Sequence, residues 1–223
     1  MSIHLDLSGI RAFVFDFDGT LARLNIDFRL MKSNVQNLMA DFQIPLDEIA
    51  NLHVLEMIDA AGAYLDQSRR GSSPLFLARA HDLVTALELQ AAEEGELLEG
   101  TRALLAELAG RSIRTGIVTR NCRVAVLKVF PEIDRCCHVF LAREDTVHVK
   151  PHPEHLRSAL RTLDVPPVQA AMVGDHPIDI LLGRQTGTFT IGVLTGHAGP
   201  EELLGAEADL IIDKASDIIE YYS

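Results

Sequence analysis

Apolar residues recur along this chain in short runs, most of which do not alternate with polar ones: AFVFDF (12–17), IRTGIVT (113–119), CCHVFLA (136–142), QAAMVGD (169–175), TFTIGVL (188–194) and ADLIID (208–213). A strand with one wet face alternates, so unbroken runs predict strands covered on both faces. Between them the period changes to that of a helix. Residues 101–109 place Leu104, Leu105 and Leu108 on one face, with Gly110 as a stop. Residues 153–163 start near Pro153 and carry Leu156, Leu160 and Leu163 on one stripe. Strand and helix in alternation predict an α/β fold, a parallel sheet with helices on both faces.

One interval departs from this rhythm. After the first strand, about 95 residues pass with almost no strand signal. Residues 27–43, 46–62 and 74–92 read as helices, separated by Pro45 and by the loop QSRRGSS (67–73). An ordinary crossover needs one helix, so the surplus predicts an inserted helical domain over 23–94, with AAEEGE (91–96) as its polar return. Leu30, Met31, Leu38 and Met39 are expected in its core. The remainder, 1–22 and 95–223, forms the sheet domain.

Composition narrows the possible partners. The formal charge is −12, which argues against nucleic acid and against an anionic membrane surface. The three cysteines, Cys122, Cys136 and Cys137, give neither a disulfide framework nor a Cys-x-x-Cys metal spacing, which suits a reducing compartment. The N-terminal MSIHLDLSGIRAF has no basic start and no long apolar core, and no apolar run reaches membrane-spanning length. A cytoplasmic protein is expected, as a monomer or a homodimer.

In open α/β sheets ligands sit beyond the carboxyl ends of the strands, so those ends were read for chemistry. The first ends in Asp16, Phe17, Asp18, Gly19 and Thr20, the second in Thr119, Arg120 and Asn121. Near the third, VHVKPHPE (147–154) carries Lys150, and the fourth ends VGDHPID (173–179), with Asp175 and Asp179. Two carboxylates in an apolar run repel each other and resist burial, which predicts a cation nearby. Each residue alone has a plainer reading: an N-cap for Asp175 or Asp179, a strand end for Thr119, a solvated charge for Lys150. The set together does not.

The set resembles the haloacid dehalogenase superfamily of phosphohydrolases, over essentially the whole chain and in phosphoglycolate phosphatase-like form. DFDGTL, IVTR, KPHPE and GDHPID match the four motifs in order, and the insertion point matches a type-one cap on a Rossmann-like core. The resemblance implies a Mg²⁺-dependent phosphatase of a small phosphorylated metabolite. Asp16 is then the nucleophile that forms an aspartyl-phosphate, and Asp18 the acid and base. Mg²⁺ is held by the carboxylates of Asp16 and Asp175 and by the main-chain carbonyl of Asp18. Thr119, Lys150 and the Gly19 amide contact phosphate, and Asp179 supports Lys150 or a metal-bound water. Arg120 either adds a phosphate contact or points away as a surface charge.

The resemblance leaves two further possibilities, a sugar-phosphate mutase of the same superfamily and a non-catalytic phospho-ligand-binding protein of the same fold. A phosphonate-cleaving relative needs a cap lysine, and the interval 23–94 offers only Lys32. His148, His152 and His155 suggest a zinc site only weakly, since no complementary ligand cluster accompanies them. Arg69 and Arg70 either reach a second anionic group of the substrate or stay in a solvated loop.

Overall fold

Six parallel strands lie side by side in a computed structural model that describes residues 7–46, 49–68 and 71–221. They are β1 (Ala12–Phe15), β4 (Arg114–Val118), β5 (Val139–Leu141), β6 (Ala170–Gly174), β7 (Phe189–Val193) and β8 (Leu210–Ile212), in the order β5-β4-β1-β6-β7-β8. A separate two-stranded antiparallel pair joins β2 (Ala22–Arg23) to β3 (Glu96–Leu97). The sheet thus confirms the doubly covered parallel strands expected from the apolar runs.

All four residues of β1 are buried, because β4 and β6 flank it in register and helices cover both faces. On one face Ala12, Val14, Val118, Ala170 and Met172 pack with Leu156, Ala159, Leu160 and Leu163. These last four are the stripe of α7 (Glu154–Leu163). Each leucine or phenylalanine fully withdrawn from water contributes about 1.5–3 kcal/mol. The remaining helices of this unit are α4 (Thr101–Gly110), α5 (Arg123–Val129), α6 (Ile133–Cys136), α8 (Pro177–Thr186) and α9 (Pro200–Gly205).

The chain divides into two compact units, residues 1–24 with 95–223, and residues 25–94. The second contains α1 (Phe28–Asp41), α2 (Val54–Gln67) and α3 (Ser73–Ala91). Asp27 caps α1 by accepting the Leu30 N–H at 2.9 Å. Met31, Val35, Leu38 and Met39 form its buried stripe, while Phe76, Ala80 and Val84 line α3. Phe42 meets Phe76 edge to face, with centroids 5.4 Å apart.

Three expectations are corrected. Leu30 is half exposed, because the buried positions 31, 35, 38 and 39 follow one helical face and residue 30 falls off it. The second helix begins at Val54 rather than 46, since the chain first closes turns in which Ile49 and Ala50 donate to the Leu46 carbonyl. It continues to Gln67 because Ala61 and Leu65 extend its buried face. The run CCHVFLA splits: Cys136 ends α6, Cys137 donates back to the Ile133 carbonyl at 3.2 Å, and the strand starts at Val139. Arg69 and Arg70 lie outside the described residues.

Candidate active site

β1 has β4 on one side and β6 on the other, so the connections leaving its neighbours diverge and open a crevice at their carboxyl ends. Asp16, Thr119 and Asp175 each stand one residue past the end of these three adjacent strands. Ladder bonds continue into them: Asp16 N–H donates to the Val173 carbonyl at 2.8 Å, and Thr119 N–H to that of Leu141 at 3.1 Å. Three adjacent strands therefore end at three candidate residues on the same edge of the sheet.

Lys150 arrives from the segment before α7 and is buried, 2 % exposed. Its ammonium donates to Asp16 Oδ1, and to Asp179 Oδ1 at 2.8 Å. Asp179 sits in the first turn of α8, where its other oxygen receives the His176 N–H at 3.4 Å. Carboxylate oxygens of Asp16, Asp175 and Asp179 lie within 4.8 Å of one another. Burial resists the Lys150 charge, but Asp16 and Asp179 outweigh it and hold its pKa above the usual value. Burial likewise pushes Asp16 up to about 6, with Lys150 opposing and Asp179 adding to the rise. Asp175 goes up to about 8, through burial and then the charges of Asp16 and Asp179. Three clustered carboxylates against one ammonium leave a deficit of positive charge at the site.

Gly19 has φ +83°, and a Cβ there would stand 2.4 Å from Asp175 Oδ2. The turn thus needs glycine for both its backbone and its clearance. Asp18 points differently from Asp16: its Oδ1 accepts the Leu24 N–H at 2.8 Å. The Thr119 hydroxyl oxygen accepts the Asn121 N–H at 3.1 Å, which leaves its own proton for another acceptor. Arg120 neither points away nor stands alone; its Nη1 donates to the main-chain carbonyl of Lys150. The side-chain nitrogen of Asn121 is buried with no hydrogen-bond partner in the structure.

Sequence reasoning missed one strand end. Past β7, Thr195 Oγ1 donates to the Gly19 carbonyl at 2.6 Å and His197 N–H to Asp175 Oδ2 at 3.1 Å. A Cβ on Gly196 would fall 1.7 Å from that same oxygen. The signal was present, since Thr-Gly follows the fifth apolar run as closely as Asp-Gly follows the first.

His148 and His152 stack on each other at 4.3 Å, but His155 is buried and its Nδ1 accepts the Lys150 N–H at 3.2 Å. Its proton therefore sits on Nε2. Burial, with the Lys150 charge, pushes the His155 pKa down to about 3. The folded state binds fewer protons at this residue than the unfolded state below the ordinary histidine pKa of about 6.5. Its stabilisation is complete above that pH and is lost as pH falls toward 3. Asparagine can offer an oxygen near the place of Nδ1, so His155→Asn provides the comparison. The stability advantage of wild type over this variant should shrink between pH 7 and pH 4 in urea titrations, and a pH-independent difference would refute the assignment.

The donor set suits a small hard divalent ion: carboxylate oxygens, no thiolate, and clearance preserved by glycines. Residues 13–193 match the family model for haloacid dehalogenase-like hydrolases, and the chain belongs to that family. It is 31 % identical over 221 residues to the pyrophosphatase PpaX of Bacillus cereus strain Q1, covering 96 % of this chain and 97 % of that one. With PpaX of Bacillus cereus strain ATCC 10987 identity reaches 39 % over 120 residues, and there the match spans about half of each chain, 52 % of this one and 55 % of the relative. The fold recurs in a predicted phosphoglycolate phosphatase from Haemophilus somnus, with TM-score 0.63, 17 % identity and coverage of 95 % and 97 %. Among the described residues, no helix is long and apolar enough to cross a membrane.

Proposed function

We propose that the protein is a Mg²⁺-dependent phosphatase that hydrolyses a small phosphorylated metabolite through an aspartyl-phosphate on Asp16. The observation that carries this reading is the meeting of Asp16, Asp175 and Asp179 with Lys150 at the ends of adjacent strands. A carboxylate oxygen of Asp16 attacks phosphorus while the ester oxygen departs with a proton from Asp18. Asp18 then takes a proton from water, which attacks the same phosphorus and releases the Asp16 carboxylate. The Thr119 hydroxyl, oriented by the Asn121 N–H, donates to a phosphoryl oxygen, and the Gly19 amide and Lys150 supply further positive charge. Asp16, Asp175 and the Asp18 carbonyl would hold Mg²⁺, which neutralises phosphoryl charge when bound. Asp179, already engaged by Lys150 and the His176 N–H, supports the site rather than binding the ion directly. The helical unit, residues 25–94, is assigned the role of cap.

A screen of phosphorylated metabolites, with inorganic pyrophosphate included because a relative is a pyrophosphatase, tests the reading. Phosphate release with Mg²⁺ and none with EDTA is expected; turnover indifferent to chelation would refute the metal assignment. Exchange of phosphoryl between sugar positions without net release would point to a mutase instead.

Asp18→Asn separates the two aspartates. Loss of a general acid and base is expected to slow turnover by about 10²–10⁴-fold. Calorimetry should find Mg²⁺ affinity retained, because the proposed ligand at this residue is the main-chain oxygen. Lost affinity would show that the Asp18 carboxylate, rather than its carbonyl, binds the ion.

A further inference from the structure

The main chain of Lys150 is gripped from both sides: its N–H donates to His155 Nδ1 at 3.2 Å, and its carbonyl accepts from Arg120 Nη1. Arg120 is itself held. Its own carbonyl accepts from Arg143 Nη1 at 3.2 Å, and the Asn121 carbonyl accepts the Arg143 N–H at 3.1 Å. Arg143 is buried, 9 % exposed, which is unusual for an arginine. Two guanidinium groups in series therefore join the turn after β5, the loop carrying Thr119 and the segment carrying Lys150.

We infer that Arg120 is a positioning residue for Lys150, backed by Arg143, and that this clamp keeps the Thr119 hydroxyl and the Lys150 ammonium in one fixed relation. This rests on the phosphatase reading of the site. Lysine has a flexible four-carbon stem, and ordering such a side chain costs conformational entropy. Fixing its backbone lowers the number of ways the ammonium can miss Asp16 and Asp179. Misplacement by about 1 Å is enough to cost a reaction on the order of 10²-fold. Arginine suits the task because its guanidinium is rigid, planar and permanently charged. Reading Arg120 as a phosphate ligand makes a different demand, since removing it would then weaken phosphate binding first.

Two measurements decide. In the first, p-nitrophenyl phosphate with Mg²⁺ is the substrate and inorganic phosphate the inhibitor. Arg120→Ala should lower kcat by about 10–100-fold, leave KM and phosphate inhibition within about threefold, and regain part of kcat when guanidinium ion is added. A rise of tenfold or more in KM and in the phosphate inhibition constant, or unchanged kinetics, overturns the proposal. The second is a metal-free urea-unfolding cycle of Arg120→Ala, Lys150→Met and the double variant. The carbonyl that Arg120 grips survives in Lys150→Met, so a merely structural bond gives additive effects. A positioning role predicts that the double variant unfolds at least about threefold less than additivity requires; additivity overturns it. Were the wild type to hydrolyse nothing, the phosphatase reading would fail, and the unfolding cycle alone would still decide the clamp.

Discussion

Asp16→Asn is expected to abolish turnover of every phosphoester the wild type accepts, by about 10⁴-fold or more, as removal of a covalent nucleophile does elsewhere. The substitution keeps the shape of the side chain and replaces the carboxylate, the proposed nucleophile, by a weakly nucleophilic amide. The fold should survive it. Burial pushes the Asp16 carboxyl up to about 6, so removing its charge relieves part of a burial cost, and Lys150 keeps its bond to Asp179. A melting temperature near that of wild type, together with no radiolabelled enzyme after acid quench of a labelled substrate, is the expected pair of results. Comparable phosphate release from Asp16→Asn would disprove the nucleophile assignment, whatever the metal does.

Lys150→Met should have the largest effect on stability. Methionine replaces the stem and removes the buried ammonium, leaving Asp16, Asp175 and Asp179 clustered without their protein cation. Breaking a buried ion pair from one side costs about 3–5 kcal/mol, which in a domain of this size is a fall in melting temperature of about 10 °C. The sign of the pH effect follows from the raised carboxylate values. Burial pushes Asp16 up to about 6 and Asp175 up to about 8, above their unfolded values, so the folded state takes up protons at acid pH and loses that relief as pH rises. Without Lys150 the charge that appears is offset by main-chain N–H groups such as those of His176 and His197 rather than by an ammonium. The deficit relative to wild type should therefore widen from pH 5 to pH 8, and millimolar Mg²⁺ should narrow it. A variant as stable as wild type at pH 8 without metal would show that the ammonium is not what balances this cluster.

Much of the site was legible because strand ends are local features. Asp16, Thr119 and Asp175 each stand one residue past a strand that the hydrophobic pattern had marked, and a parallel sheet collects such ends on one edge. Gly19 was legible for its backbone but not for its clearance, since the atom it spares belongs to Asp175, far along the chain. Arg120 and His155 were legible as residue types but not as partners, for both hold the main chain of Lys150. No periodicity encodes a side chain that serves a distant carbonyl. The late start of α2 escaped because a helical pattern in sequence does not say whether turn bonds will close first.

By itself, then, the sequence determined the strand and helix order, the parallel sheet, the extra helices after the first strand and the identity of the residues at the strand ends. These follow from hydrophobic period and local bonding, which act between near neighbours. Only the tertiary structure decided that Asp179 takes the Lys150 ammonium, that the loop after β7 closes on Asp175 and Gly19, and that two arginines tie Lys150 to the strand bearing Thr119. Such contacts depend on angles accumulated over many residues, and a charge finds its partner only after the sheet has brought them together.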